Sequence, residues 1–301
     1  MVRSKQKPKH VVRLTCGAAH TDVARYEARE DRHFVVESSR GAGAGAVCDD
    51  FAVDAESELF ACVLDGHRGA VAAETARAHL PGALRAGIDG QRAPLADAEA
   101  TSALVRAFLA TEAAVVAAAP EGGGACCVAA VVRARRLHVA WLGDCRALAA
   151  TAAGGVERLT RDHTPDRERE RIAAAGGFVH EVRGVWRVGV LPPTTDGPAP
   201  KKRKIDMLAA CRAFGDADFG PVVAASPDVV HVDLAPDLEF VLLQSDGVHE
   251  ALADDLAAGA VRAALADGGD AAAAARAVVD AAKAAGSTDD ITAVVLRCHV
   301  A

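Results

Sequence analysis

Four aspartates lie where an apolar run of the chain ends. Asp65, Asp144 and Asp246 follow segments that read as buried strands (FACVLD, LHVAWLGD and FVLLQSD), and Asp289 lies in GSTDD. A carboxylate at the end of a buried strand faces the rim of a sheet, and several that meet there repel one another unless a cation lies among them. Hard divalent cations prefer oxygen ligands. The pattern therefore favours a metal-dependent hydrolase.

The densest of these segments is Asp65-Gly66-His67. Gly66 permits a sharp turn and offers a backbone carbonyl close to a metal. His67, beside a metal-binding carboxylate, has the chemistry of a general acid near neutral pH. Taken alone, the segment also fits an ordinary Asp-Gly turn followed by a surface histidine. Similar acidic turns recur at Ser245-Asp246-Gly247 and Asp49-Asp50, and this recurrence favours the metal interpretation.

The elements that must position these residues follow from the apolar periodicity. Thr164-Pro165 opens a helix that Gly176-Gly177 closes, and the run RERER between them predicts a solvated face. Hairpin-linked strands with helices inserted among them predict packed sheets with helices outside, not a regular parallel sheet. The strands are expected at about 11–16, 33–38, 50–54, 59–64, 125–132, 137–143, 239–244 and 291–298, and further helices at about 69–85, 96–118, 253–266 and 270–285.

Composition narrows the class of protein. The 301 residues fit one large domain or two small ones, and a net charge of -7 disfavours nucleic-acid binding by the overall field. No apolar segment is expected to reach the roughly 20 residues of a membrane span. The eight cysteines include no CxxC pair, which predicts reduced thiols in a cytoplasmic or nuclear protein. Residues 1–10 are basic and polar and predict a disordered tail.

Eight segments together resemble the metal-dependent serine/threonine protein phosphatases of type 2C. The resemblance covers about residues 45–298, and it is specific because the segments follow one another in the family's order. They are CDDFAV, FACVLDGHRG, LHVAWLGDCRA, LTRDHTPDRERERIAAAGG, LAACRAFGD, AASPDV, FVLLQSDGVHEAL and STDDIT.

The resemblance implies an α+β fold, a four-layer α-β-β-α sandwich of two antiparallel sheets flanked by helices. It implies one catalytic domain over residues 11–301 that holds two Mg²⁺ or Mn²⁺ ions and a weaker third. The expected metal ligands are Asp50, Asp65, the Gly66 carbonyl, Asp144 (for the third ion), Asp246 and Asp289.

The chemistry implied by the resemblance is hydrolysis of phosphoserine and phosphothreonine in phosphorylated proteins by a monomeric enzyme. Two ions about 4 Å apart share a water and lower its pKa toward neutral. The resulting hydroxide attacks phosphorus in line, while His67 protonates the departing oxygen and Asp65 bridges the ions.

Three segments of the chain depart from the family's pattern. The family's phosphate-gripping arginine is replaced by Gly45, so Arg40 or Arg68 is expected to take its role, and Arg68 stands where the family commonly has glycine. An exposed Arg68 that points to solvent is the alternative. His249 and Glu250 replace a Trp-Asp pair, and Asp290 replaces an asparagine.

A loop insertion is expected at about 192–206. Its PKKRK segment fits three interpretations: a docking site for acidic substrate residues, a nuclear import signal, or a solvated loop.

Two other functions fit parts of the sequence. The missing arginine is compatible with a weakly active or inactive pseudophosphatase that binds phosphoproteins. A phosphatase with an aspartyl nucleophile is less consistent, because FACVLDGH offers only Asp65 where that chemistry needs a paired Asp-x-Asp.

Overall fold

The structure is a computed structural model that describes residues 12–21, 32–38, 47–53, 58–89, 95–120, 122–190 and 206–300. The expected N-terminal tail, Arg40, Gly45 and the PKKRK segment lie outside the described residues. The predictions made for them, and the prediction of a single domain over 11–301, stay predictions.

The strands alternate with six helices in the described part of the chain. The strands are β1 (Val12–Thr21), β2 (Arg32–Ser38), β3 (Val47–Val53), β4 (Glu58–His67), β5 (Gly124–Arg133), β6 (Arg136–Leu142), β7 (Arg146–Thr151), β8 (Val156–Arg158), β9 (Gly177–Val182), β10 (Val185–Val190), β11 (Met207–Leu208), β12 (Phe214–Gly215), β13 (Asp228–Asp233), β14 (Leu238–Gln244) and β15 (Ile291–Val300). The helices are α1 (Val71–Ile88), α2 (Asp97–Ala118), α3 (Arg169–Ala174), α4 (Asp246–His249), α5 (Asp254–Ala266) and α6 (Ala271–Ala284), with a 3-10 helix over Ala217–Val222.

Two antiparallel sheets form the centre of the molecule. One has the order β3-β1-β15-β14-β7-β8, and the other has the order β13-β6-β5-β4-β2 with β12 added beside β5. A smaller sheet has the order β11-β10-β9. Helices α1 and α2 cover the sheet that contains β4, and α5 and α6 cover the sheet that contains β15. The expected α+β sandwich of four layers is confirmed.

Strand β4 shows why its sequence is apolar at nearly every position. Leu59, Ala61 and Val63 pack between the two sheets. Phe60 and Leu64, at the alternate positions, pack under α1 and α2. Since side chains on a strand alternate between the two faces, a strand that is covered on both faces needs apolar residues throughout.

Helix α6 lies unusually close to its sheet. Its buried residues are small and recur at helical spacing: Ala271, Ala274, Ala275, Val278, Val279 and Ala282. On the facing strand, a Cβ added at Gly17 would lie 2.0 Å from the backbone nitrogen of Ala272. The alanine-rich helix and the glycine therefore permit a helix-to-sheet approach that larger side chains would prevent.

The predicted helix after Thr164 was wrong in its start, and one residue of its predicted solvated run is mostly buried. The segment begins as a turn in which Arg167 N donates to Thr164 O over 3.0 Å, and α3 starts only at Arg169. Glu168, expected in the solvated run, is mostly buried because it pairs with Arg171 (2.6 Å) and Arg212 (2.5 Å). Arg167, Arg169 and Glu170 are exposed as expected, so only Glu168 leaves the solvated face to join an ion-pair network.

Helix α2 is long and apolar enough to span a membrane, by length and composition alone, with a mean hydropathy of 1.4. The expectation that no segment is that apolar was therefore wrong. One face of this helix, which includes Leu104, Phe108 and Val115, packs against the sheet and α1. A core helix of a folded domain meets the same test.

The cysteines that the structure describes with side chains are free thiols, and all but Cys298 are buried. Burial strongly raises the pKa of the Cys126, Cys127 and Cys145 thiols. These groups stay protonated and act as small apolar side chains in the core.

Two glycine-to-alanine changes test the approach of α6 to β1. Gly17→Ala should lower the free energy of unfolding by about 1–3 kcal/mol, because α6 must move to admit the methyl group. Gly82→Ala, in α1 where an added Cβ meets nothing within 4 Å, should raise it by about 0.5–1 kcal/mol. Denaturant unfolding measures both, and a fully stable Gly17→Ala variant would show that the helix does not lie against this strand.

Candidate active site

Four of the predicted acids reach one edge of the sandwich from both sheets. Asp65 is near the end of β4 and lies opposite Cys126 of β5. Asp144 occupies the turn between β6 and β7. Asp246 is the first residue of α4, directly after β14, and Asp289 precedes β15. Since β14 and β15 are neighbours in one sheet and β4 lies in the other, the four acids meet where the two sheets face each other.

The pKa of Asp246 shows that this carboxyl lies within electrostatic reach of the other acids. Desolvation raises the pKa of the Asp246 carboxyl well above its ordinary value, and the charges of Asp144, Asp289 and Glu250 raise it further. A hydrogen bond with the Asp65 side chain opposes the shift. Two carboxyl groups can share a hydrogen bond only when one of them holds a proton, so this edge has a strong demand for positive charge.

The pKa of the buried Cys126 thiol is raised by three of the same acids. Burial is the main reason for its raised pKa, and the charges of Asp144, Asp65 and Asp246 all add to the shift. Glu250 belongs to the group as well, because Asp289 and Asp144 add to the desolvation that raises the pKa of its carboxyl.

Histidines fix the turn that carries Asp144 on two sides. Gly143, at φ +78°, donates its N–H to Nδ1 of the buried His163 over 3.1 Å. His249 Nε2 lies 2.9 Å from the backbone carbonyl of Asp144 and donates to it. Desolvation lowers the pKa of both imidazoles, which keeps them neutral and leaves each with one donor and one acceptor nitrogen.

Gly143 itself could not be another residue. Its left-handed φ disfavours side chains, and a Cβ there would lie 2.2 Å from Cys126 Sγ.

His67 has a partner that the sequence did not assign. Its Nε2 lies 2.6 Å from Oδ2 of Asp216, a fully buried carboxylate just after β12. Gly124 of β5 makes room for the pair, since a Cβ there would lie 2.2 Å from Asp216 Oδ2. When Asp216 accepts the Nε2 proton, Nδ1 of His67 is the nitrogen left to exchange a proton.

Asp216 is held in place by a short strand and an ion-pair network. Phe214 of β12 lies opposite Ala125 of β5, and the N–H of Gly215 donates to Glu112 Oε2 over 2.7 Å. Earlier on the same segment, Arg212 pairs with Glu168 and Asp228. The carboxylate that orients His67 is therefore positioned from three sides.

Arg68 is paired with acids in this structure. Its guanidinium binds both oxygens of Asp218 over 2.9 and 3.0 Å, lies 3.4 Å from Asp216 Oδ1 and sits over the Phe219 ring. Its φ of 60° is in the left-handed region that favours glycine. The arginine thus joins the tip of β4 to the 3-10 helix at a cost in backbone strain.

The structure brings together Asp65, Asp144, Asp246 and Asp289, and it places His67 at the end of the same strand as Asp65. Gly66 lies in that strand between them, and the backbone of Asp50 lies in β3. Arg40 lies outside the described residues. The roles assigned to all of these residues stay predictions.

Comparison with known proteins identifies the family. A model of the protein phosphatase 2C domain matches residues 25–291. The chain belongs to the protein phosphatase 2C family. Members of this family are metal-dependent protein phosphatases, and the fold and the resemblance drawn from eight sequence segments agree with that membership.

Relatives in the protein phosphatase 2C family include plant proteins. Probable protein phosphatase 2C 25 of Arabidopsis thaliana is 32% identical over 90% of this chain and 61% of its own length. A protein kinase and PP2C-like domain-containing protein of Oryza sativa subsp. japonica is 29% identical over 97% of this chain and 40% of its own. The chain thus spans about 40 to 65% of the length of these first relatives.

Solved structures share the fold at low sequence identity. A serine-threonine phosphatase 2C from Toxoplasma gondii superposes with a TM-score of 0.74 at 20% identity, covering 95% of both chains. A C. elegans sex determining protein superposes with a TM-score of 0.73 at 21% identity over 94% of this chain and 64% of its own.

The strain at Arg68 can be measured with two substitutions that both remove its ion pairs. Arg68→Ala keeps a Cβ at the left-handed φ, whereas Arg68→Gly does not. We expect the glycine variant to be more stable than the alanine variant by about 1 kcal/mol in denaturant unfolding, the reverse of the usual order of these residues. Equal stability, or a more stable alanine variant, would contradict the left-handed conformation.

Proposed function

We propose that the chain is a Mg²⁺- or Mn²⁺-dependent phosphatase that hydrolyses phosphoserine and phosphothreonine in proteins. The observation that carries the proposal is the pair of carboxyl groups on Asp65 and Asp246, which share a hydrogen bond at an edge where Asp144 and Asp289 add negative charge. Membership of the protein phosphatase 2C family supports the same reaction class.

The donor set fits hard divalent cations. The groups that act on Asp246 are carboxylates, and a cation among them removes both the repulsion and the need for a shared proton. We assign Asp65, the Gly66 carbonyl, Asp246, Asp289 and Asp50 to the two ions, and Asp144 to a weaker third. When bound, such ions activate water as a nucleophile and neutralise phosphate oxygens.

His67 is the proposed proton donor to the departing seryl or threonyl oxygen. The hydrogen bond between its Nε2 and Asp216 leaves Nδ1 to carry the proton that the leaving oxygen needs. Asp216 acts through His67, as a positioning residue that fixes the ring orientation and compensates the charge of the imidazolium.

Arg68 contributes to phosphate binding only if its guanidinium leaves Asp218. The bidentate pair with Asp218 has the geometry that a phosphate would otherwise satisfy. A substrate phosphate therefore competes with a carboxylate for this arginine, which offsets part of the gain from binding. The monomeric state, the cytoplasmic or nuclear location and the lack of nucleic-acid and membrane partners stay predictions.

Removal of one central acid should abolish most of the activity. Asp65→Ala and Asp246→Asn are each expected to lower kcat/KM on a phosphothreonine peptide with Mn²⁺ by about 10³-fold or more. Either change removes a proposed metal ligand, and the ions neutralise phosphate charge and activate water. Asp280→Asn, an exposed acid on α6, is the matched control and should keep wild-type turnover.

The outcome that would contradict this proposal is turnover that persists in excess EDTA or in either variant. A wild-type protein that binds Mn²⁺ and releases phosphate from no phosphopeptide would instead support the pseudophosphatase.

Two substrates with different leaving groups can distinguish a role of Asp216 in proton donation by His67 from a purely structural role. Asp216→Asn should lower kcat on a phosphoserine peptide by about 10²-fold, because the seryl oxygen needs a proton from His67. The same variant should lose far less activity on p-nitrophenyl phosphate, whose leaving group needs little protonation. Asp218→Asn, which contacts Arg68 but not His67, is the control. Equal losses on both substrates would argue against the assignment.

A further inference from the structure

A second cluster of ligand-type side chains lies away from the acids. Asp97 is the first residue of α2, His138 is on β6, and His231 lies directly opposite His138 on β13. One ligand atom from each of the three lies within 4.8 Å of the others. Two imidazoles and a carboxylate form a common donor set for Zn²⁺ and similar divalent ions.

The two imidazoles face each other through the same nitrogen. His138 Nδ1 and His231 Nδ1 are 2.8 Å apart, so one of them must donate a proton that the other accepts. His138 is 1% exposed, and its Nε2 has no hydrogen-bond partner among the described residues. The two Nδ1 atoms of His138 and His231 therefore share one proton that lies between them.

The geometry is close to that of a metal site. Two imidazole nitrogens that bind one tetrahedral Zn²⁺ are each about 2.0–2.1 Å from the ion and hence about 3.3 Å apart. Relative to the present 2.8 Å, the two nitrogens need to separate by about 0.5 Å, and the rings need to turn so that both nitrogens face the ion. Burial lowers the pKa of His138 to about 4 and that of His231 as well, so both rings are neutral at pH 7, as metal ligands must be.

Surrounding groups support two of the three ligands, His231 and Asp97. Thr101 Oγ1 lies 3.0 Å from His231 Nε2 and can accept its proton, which leaves Nδ1 of that ring as the ligand atom. Arg136 binds Asp97 through both carboxylate oxygens (2.7 and 3.0 Å) and also pairs with Asp233. Since two carboxylates compensate the single charge of Arg136, the local field still favours a cation, and each Asp97 oxygen retains a second lone pair.

The cluster is distinct from the candidate active site. On β5, the residue opposite His138 is Val131, and the residue opposite Asp65 is Cys126, five positions or about 17 Å away along the strand. The two sites also lie on opposite faces of the sheet, since Val131 packs under α1 and α2 whereas Cys126 faces the other sheet.

We propose that Asp97, His138 and His231 bind a Zn²⁺-type divalent cation that links α2 to β6 and β13, with water completing the coordination. The ion takes the place of the proton shared by the two imidazoles. It connects elements that are far apart in the chain, so its effect is to stabilise the outer face of this sheet.

Co²⁺ is the probe that separates this site from the carboxylate edge. Four-coordinate Co²⁺ with nitrogen ligands absorbs visible light strongly, whereas Co²⁺ among oxygen ligands in six-coordination absorbs weakly. We expect one equivalent of Co²⁺ to produce the strong bands in the full chain and in Asp246→Asn, and Zn²⁺ to remove them by displacement.

The ligand variants decide the proposal. His231→Gln, and Asp97→Asn at the half-exposed end of the cluster, should each weaken Co²⁺ binding at this site at least tenfold while the circular dichroism spectrum is unchanged. His138→Gln should do the same, and Asp97→Asn keeps the test valid if this buried change prevents folding. Strong bands that survive in His231→Gln, or that are absent from the folded wild-type chain, would overturn the assignment.

Discussion

Repulsion between carboxylates that a rigid frame holds together is the constraint on which the rest of this structure depends. Asp65 and Asp246 come from different sheets, and neither can retreat because strands packed on both faces fix the backbone beneath each of them. In water such groups would separate. Here the apolar burial of the sandwich offsets the cost of crowding the carboxylates, and a divalent cation bound among them would remove that cost. The binding energy of the cation is thus prepared in advance by the fold.

The frame also explains which polar residues are buried near this edge. His163 and His249 each fix the turn of Asp144 through a backbone group. Their neutral state suits this work, because a charged imidazole would compensate the acids and weaken their demand for a metal. His249 occupies a position where the family often has tryptophan, so the same turn is stabilised here by a hydrogen bond.

Sequence reasoning was most successful where one chemical requirement dominates a local pattern. Apolar runs that end in Asp65 or Asp246 correctly predicted a buried strand followed by an acid at the rim of the sheet. The order of the eight segments correctly predicted the family and the four-layer fold. The start of α3 was wrong because Thr164-Pro165 suits a turn as well as a helix. Glu168 was misread because its partners, Arg171 and Arg212, become visible only in the folded chain.

Contacts that depend on register could not be found in the sequence. Asp216 lies 149 positions from His67, and the tip of β4 and the end of β12 meet only through their separate pairings with β5. The sequence signal that could have drawn attention to Asp216 was the Gly-Asp pair that ends RAFGD. In the structure, both residues of this pair adopt positive φ. In the same way, His138 and His231 become neighbours only when β13 pairs with β6.

The two-residue strand β12 has a consequence for how this protein responds to heat. The carboxylate that orients His67 is attached to the sandwich by two paired residues and a few ion pairs, whereas Asp65 belongs to a long strand of the central core. Partial detachment of the segment around β12 needs far less energy than melting of the sheets. On warming, the proposed catalysis should therefore fade while the molecule is still folded, so that thermal inactivation and thermal unfolding are two separate events.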